Sequence, residues 1–188
     1  VTKVPHGMEP RDFFLTSASV EQFEVCPATR VFRSTLKEEM HPGMWWGIFI
    51  HRFLEYAQTR GRDAALAYVQ QKFRRGLKCC QAIDVASIPL GDVEVALAHD
   101  VYQRRSRQLF GRNQWPDPAR ETFGRADLLF RDKAKDNRPH IADYKCGAGN
   151  GTPVGDFQLL GLAAAVADWL DWRQPIDVSI VAVRSTGE

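Results

Sequence analysis

Two segments constrain this chain more than any others: Glu121-Thr-Phe-Gly-Arg-Ala-Asp127-Leu-Leu-Phe and His140-Ile-Ala-Asp143-Tyr-Lys145-Cys-Gly. Each holds an apolar run of strand length, Leu128, Leu129 and Phe130 in the first and Ile141, Ala142 and Tyr144 in the second. Between them, Asp132-Lys-Ala-Lys-Asp-Asn-Arg138 is charged or turn-forming at every position but one. A hairpin symmetric about Lys135 sets Asp127 opposite Asp143, with Cβ atoms about 5 Å apart. Lys145, two residues past Asp143, points to the same face.

Strands apolar on both faces are central and covered. Two opposed carboxylates in such a place repel, and burial disfavours their charged forms. A divalent cation removes the objection, because Mg²⁺ is held by one or two carboxylates together with waters and phosphate oxygens. A lysine beside it can orient a bound water. The same three residues also fit a surface salt bridge of Lys145 with either aspartate at a strand end.

A chain of 188 residues with 44% hydrophobic and 26% charged content is long enough for one domain with a real core. Its net charge of +2 does not by itself announce nucleic acid. The basic residues are clustered, however: Lys72, Arg74, Arg75 and Lys78 in one segment, Arg104, Arg105, Arg107 and Arg112 in another. Such clusters suit a polyanionic partner or a solvated helix face. The cysteines Cys26, Cys79, Cys80 and Cys146 form no Cys-x-x-Cys pair, which argues against a zinc or iron–sulfur site. With no signal peptide and no uncharged apolar run near 18 residues, the expected compartment is the cytoplasm, with no membrane partner.

Along the chain, a helix is expected from Thr16-Ser-Ala-Ser19 to Cys26-Pro27, with Ser17 or Ser19 as N-cap. His41-Pro42-Gly43 is a break. From Trp45 a helix follows, in which Ile50, Phe53, Leu54 and Ala57 form a buried stripe with His51 at its edge. Such a histidine either bonds locally or faces a cleft. Asp63 to Lys78 reads as an amphipathic helix, Cys79 to Pro89 as a connection, and Asp92 to Phe110 as a long helix ended by Gly111. The glycine-rich stretch Gly147 to Gly155 is expected to be a mobile loop. Phe157 to Leu170 is apolar nearly all round and is expected to be a buried helix, with Gln158 near its start needing a partner. Ile176 to Arg184 is the last strand.

Taken in order, these pieces resemble the PD-(D/E)XK nuclease superfamily, in particular its RecB-like branch, which includes the CRISPR-associated exonucleases. Ser17-Ala-Ser19 through Cys26-Pro27 is similar to the opening Ser-x-Ser…Cys-Pro helix, and Gly47-Ile-Phe-Ile-His51 to the Gly-x-x-x-His helix. Gly124-Arg-Ala-Asp127 resembles the Gly-x-x-Asp strand, Asp143-Tyr-Lys145-Cys-Gly the Asp-Tyr-Lys-Thr-Gly strand, and Gln158 the glutamine that opens the next helix. Cys146 stands where threonine is common, and Leu162 where a tyrosine often follows the glutamine.

The resemblance implies an α/β, restriction-endonuclease-like fold: one domain over 1–188, with a mixed central sheet flanked by helices. Residues 16–112 would form a mainly helical N-terminal flank, and 119–188 the catalytic sheet and buried helix. It implies that His51, Asp127, Asp143 and the Tyr144 main-chain carbonyl ligate Mg²⁺ or Mn²⁺. Lys145 would position the attacking water, Gln158 would hold Lys145 or the water, and Glu121 would add an outer-sphere contact. The iron–sulfur members carry a cysteine trio near the C-terminus, and no cysteine follows Cys146, so no cluster is expected. The implied activity is phosphodiester hydrolysis in DNA, on single strands or duplex ends. The alternatives are a non-catalytic DNA-binding module, or a subunit active only with a helicase or recombination partner.

Overall fold

The computed structural model describes residues 42–100, 102–110, 114–117, 120–146 and 157–183. The expected helix at Thr16 to Pro27 and the glycine-rich loop at 147–155 lie outside them. The described helices and strands fall into two units interleaved in sequence. The first draws on 40–94, 126–153 and 176–188, the second on 1–39, 95–125 and 154–175.

In the first unit, helix α1 (Pro42–Arg60) opens on a proline, whose missing N–H costs nothing in a first turn. The expected stripe is buried, with Ile50 1%, Phe53 2%, Leu54 0% and Ala57 5% exposed. Burying Ile50, Phe53 and Leu54 contributes about 1.5–3 kcal/mol each. Gly61, at φ 87, lets the chain turn at once into α2 (Arg62–Lys72). A 3₁₀ turn (Arg74–Gly76) leads into the short α3 (Leu77–Ala82), so the helix expected over 63–78 is split at Phe73. Ala65, Val69, Cys80, Ile83 and Ile88 complete a core that closes on Leu128, Ala142 and Tyr144 of the sheet.

The strands are β1 (Asp92–Asp100), β2 (Arg105–Gln108), β3 (Glu121–Asp132), β4 (Arg138–Lys145) and β5 (Asp177–Ala182). Hydrogen bonds link them in the order β2-β1-β3-β4-β5. β1–β2 and β3–β4 are antiparallel and β4–β5 parallel, so the sheet is mixed. The central hairpin has the expected register. Leu128 pairs with Ala142, Leu129 with Ile141 and Asp132 with Arg138, which centres it on Lys135. Its turn is a 3₁₀ segment capped by Asp132, which accepts the Ala134 N–H, followed by left-handed Asp136 and Asn137.

The long helix expected over 92–110 is instead the β1–β2 hairpin. Val93, Val95 and Leu97 alternate with Glu94, Ala96 and Ala98, a period of two rich in β-branched side chains. Asp100 then turns the chain by accepting the N–H groups of Tyr102 and Gln103, and Arg104 enters the left-handed region at φ 49. The flank over 16–112 is therefore not helical throughout. In the second unit, α4 (Phe157–Trp169) packs on β2. Leu159, Leu162, Ala165 and Val166 are buried, but Leu160 is half exposed, so this helix buries one face rather than its whole girth. A Cβ on Gly124 would come within 3.0 Å of Leu162 Cδ1, which accounts locally for the glycine. Among the described residues no helix is long and apolar enough to cross a membrane.

Two positions in the first unit give direct tests of this packing. A Cβ on Gly91 would lie 2.4 Å from the Leu129 carbonyl oxygen, a backbone atom that cannot swing away. Gly91→Ala is expected to cost about 1–3 kcal/mol in a urea unfolding curve. The Tyr144 hydroxyl is buried with no hydrogen-bond partner among the described residues, and burial pushes the phenol pKa up. Tyr144→Phe removes that orphan and is expected to leave stability unchanged or raise it by about 1 kcal/mol in the same assay.

Candidate metal centre

The site is assembled by α1 and the β3–β4 hairpin, all within the first unit. With Ile50, Phe53 and Leu54 filling the core, His51 is left at the border of the buried stripe, partly covered. Its Nε2 lies 2.8 Å from the Tyr144 main-chain oxygen, 93 residues away in sequence. A carbonyl only accepts, so Nε2 carries a proton and donates it. Nδ1 lies 3.2 Å from Asp127 Oδ1. The other carboxylate oxygen of Asp127, Oδ2, accepts the Tyr144 N–H at 2.7 Å. Asp127 is thus fixed through a main-chain bond, and one of its oxygens is turned toward the imidazole.

Burial pulls the His51 pKa down, but its bonds to Asp127 and Cys146 outweigh burial and lift it to about 10. At neutral pH the ring is therefore cationic, with both nitrogens donating. The positive charge is shared between two oxygens that face different nitrogens of the ring.

A second acid joins them. Ligand atoms of His51, Glu94 and Asp127 all lie within 4.8 Å of one another. Glu94 has φ 53 inside β1, a left-handed conformation costing about 1–2 kcal/mol for a residue with a Cβ. Such kinks in a strand re-aim side chains and recur beside functional sites. Glu94 is not among the candidates offered by the sequence, where the segment reads as helix. The alternation Asp92-Val-Glu-Val-Ala-Leu is the signal that places it on a strand.

On β4, Asp143 is 8% exposed and its Oδ2 lies 2.8 Å from Lys145 Nζ. The lysine side chain is 40% exposed and that of the aspartate 12%. A pair this open contributes about 0–1 kcal/mol, too little to offset the burial of Asp143, so stability alone does not explain it.

The donor set suits a hard divalent cation. Neighbouring ligands of octahedral Mg²⁺, each about 2.1 Å from the ion, stand about 3 Å apart. The Tyr144 and Asp127 oxygens face different nitrogens of the His51 ring, so one ion would take a single nitrogen from it; the group whose ligand atoms could share an ion is His51, Glu94 and Asp127, all within 4.8 Å of one another. Of the residues expected to form the site, the structure gathers His51, Asp127 and the Tyr144 carbonyl. It adds Glu94 to that group, and sets Asp143 with Lys145 on the adjoining strand end, outside the group whose ligand atoms lie within 4.8 Å of one another. Gln158 lies in the first turn of α4, in the second unit, half-buried. Glu121 is occupied elsewhere. Arg107 donates to both of its oxygens, at 3.0 and 2.8 Å, and the Asp117 N–H donates a third bond, to Oε2 at 2.6 Å.

A second cluster of the same residue types occurs at the turn end of the hairpin. Ligand atoms of Asp132, His140 and Asp177 lie within 4.8 Å of one another. Here Lys135 Nζ is 2.9 Å from Asp177 Oδ2 and 4.0 Å from Asp132 Oδ2, and Arg138 Nη1 is 3.3 Å from Asp177 Oδ1. His140 Nε2 is bonded to Ser179 Oγ at 2.8 Å, and its ring stacks on Phe130. Fixed cations already neutralise these acids.

No family model matches the sequence, and no curated protein matches it either.

Proposed function

We propose that this chain is a divalent-metal-dependent deoxyribonuclease that hydrolyses phosphodiester bonds, acting as an exonuclease on single strands or DNA ends. The observation that carries this reading is the meeting of His51, on a helix, with Asp127 and the Tyr144 main chain, on two strands, beside an Asp143–Lys145 pair. Ligand atoms of His51, Glu94 and Asp127 come within 4.8 Å of one another, and the Asp143–Lys145 pair stands on either side of Tyr144, whose carbonyl His51 bonds. The resemblance of the ordered motifs to the RecB-like nucleases supports the same reading.

His51, Asp127, Asp143 and the Tyr144 carbonyl would hold Mg²⁺ or Mn²⁺, with Glu94 as a further oxygen donor. When bound, such an ion supplies a more acidic water and a Lewis acid for the phosphoryl oxygen. The rest is placement and charge, the usual protein share of phosphoryl chemistry. Asp127 keeps its orientation because the Tyr144 N–H holds one of its oxygens. Lys145 is held by Asp143 yet is open enough to reach an incoming phosphate or water. Its ammonium can donate to the attacking water and stabilise the charge that grows on the phosphoryl oxygens.

The test is release of nucleotides from linear single-stranded and blunt-ended DNA with Mn²⁺, compared with EDTA. Asp127→Ala, Asp143→Ala and Lys145→Ala are each expected to lower the rate by about 10²–10⁴-fold, the scale of losing a positioned acid–base or charge-stabilising group. Wild-type protein that cleaves no faster than these variants in any divalent metal rules out the nuclease reading. Glu94→Gln keeps the shape and removes the charge. It is expected to raise the Mn²⁺ concentration for half-maximal rate by about 10-fold or more, with a smaller change in the rate at saturating metal. An unchanged metal requirement excludes Glu94 from the ligand set.

A further inference from the structure

Helices α1 and α2 and the turn that follows them carry a surface that the metal centre does not use. Five aromatic rings meet one after another there. Trp46 lies 5.3 Å from Phe49, Phe49 5.2 Å from Phe73, and Phe73 6.3 Å from Tyr68. Tyr68 stacks on Tyr56 at 5.1 Å with planes 19° apart. Tyr68 and Phe73 are 39% and 50% exposed, unusual for large rings that already have ring neighbours to pack on.

The rings are bordered by cations. Lys72, Arg74, Arg75 and Lys78 are all exposed, and no acidic residue occurs between Asp63 and Asp84. Gly76 fixes the two sets against each other. A Cβ there would lie 2.5 Å from the Phe49 ring, so only glycine lets the Arg74–Gly76 turn lie against that ring. The backbone that carries the arginines is thereby held against the aromatic run.

We propose that this face binds single-stranded nucleic acid, with bases stacking on Tyr68 and Phe73 and phosphates met by Lys72, Arg74 and Arg75. Ring faces with a bordering row of cations are the means by which single strands are held without sequence preference. A duplex hides its base faces and has no use for exposed rings. A membrane surface is a poorer match, since α2 spans only 11 residues and places Gln70 and Gln71 beside the rings. The proposal deepens the nuclease reading by giving that site a strand-holding surface on the same unit, but it rests on separate residues and can be tested apart from it.

The experiment measures fluorescence anisotropy of labelled oligo(dT) in EDTA, where no metal-dependent cleavage occurs. A duplex of equal length and phosphatidylserine vesicles serve as competitors. Tyr68→Ala and Phe73→Ala are each expected to weaken oligo(dT) binding about 5- to 100-fold. The double substitution Arg74→Ser with Arg75→Ser is expected to lower the slope of log affinity against log salt by about 0.7 per cation removed. Melting curves check folding. Because Arg74 and Arg75 are exposed, their variant keeps the test decisive if Phe73→Ala unfolds. Hydrolysis of bis(p-nitrophenyl) phosphate with Mn²⁺ is followed in parallel, so that loss of binding with retained hydrolysis separates this face from the metal centre. Folded variants that bind oligo(dT) as wild type does overturn the proposal, as does competition by vesicles or duplex but not by unlabelled oligo(dT).

Discussion

Asp127 is the joint on which the first unit turns. One of its oxygens takes the Tyr144 N–H of the neighbouring strand and the other faces His51 of α1. Three elements are thereby tied at one carboxylate. The tie is charge-assisted, because His51 is held protonated, and such bonds are about twice as strong as neutral ones. The rest of the arrangement follows. The His51 Nε2 proton is directed to the Tyr144 carbonyl, and Asp143 and Lys145 flank Tyr144 on β4 with side chains on the opposite face of the strand from the tyrosine ring. The ring itself enters the core, where it is 3% exposed.

How much of this could be read in the residues depended on how local the cause was. The β3–β4 hairpin was legible down to its register, because the apolar runs and the turn residues around Lys135 admit one symmetric pairing. The buried face of α1 was legible too, since Ile50, Phe53, Leu54 and Ala57 repeat with the helical period. The β1–β2 hairpin was not. Alanines at 96 and 98 suit either element, and the turn is made by the Asp100 carboxylate gathering two backbone N–H groups, a cue with no glycine or proline to mark it. That error concealed Glu94. Its contribution to the site comes from a single positive φ, which no periodicity encodes. Glu121 shows the converse: a carboxylate beside a recognisable motif that the fold spends on Arg107 and a backbone N–H.

The aromatic run was missed for a different reason. Trp46, Phe49, Tyr56, Tyr68 and Phe73 sit on three elements, and along the sequence each reads as one more core residue. Their exposure depends on where α2 stops. A continuous helix over 63–78 would have carried Phe73 round with the helical period. The break after Lys72 instead leaves it half exposed against Phe49 and Tyr68, with the arginines on the turn beside it. A local interruption thus converts two apolar stripes into a surface.

The hairpin also contains its own control for what makes a metal centre. Its two ends each bring one histidine within ligand distance of two carboxylates. At the turn end, Lys135 and Arg138 lie within 3.3 Å of the Asp177 carboxylate, and both come from the hairpin that the cluster pins to β5. A divalent ion entering there would have to displace two fixed cations and open the turn. At the other end, the positive charge facing Asp127 is a proton on an imidazole, a group that gives up its proton to become a ligand. Among the described residues, Lys145 at this end is paired with Asp143. Residue type is the same at both ends. What differs is whether the charge opposite the acids can leave, and that difference favours the His51 end as the place where a cation exchanges.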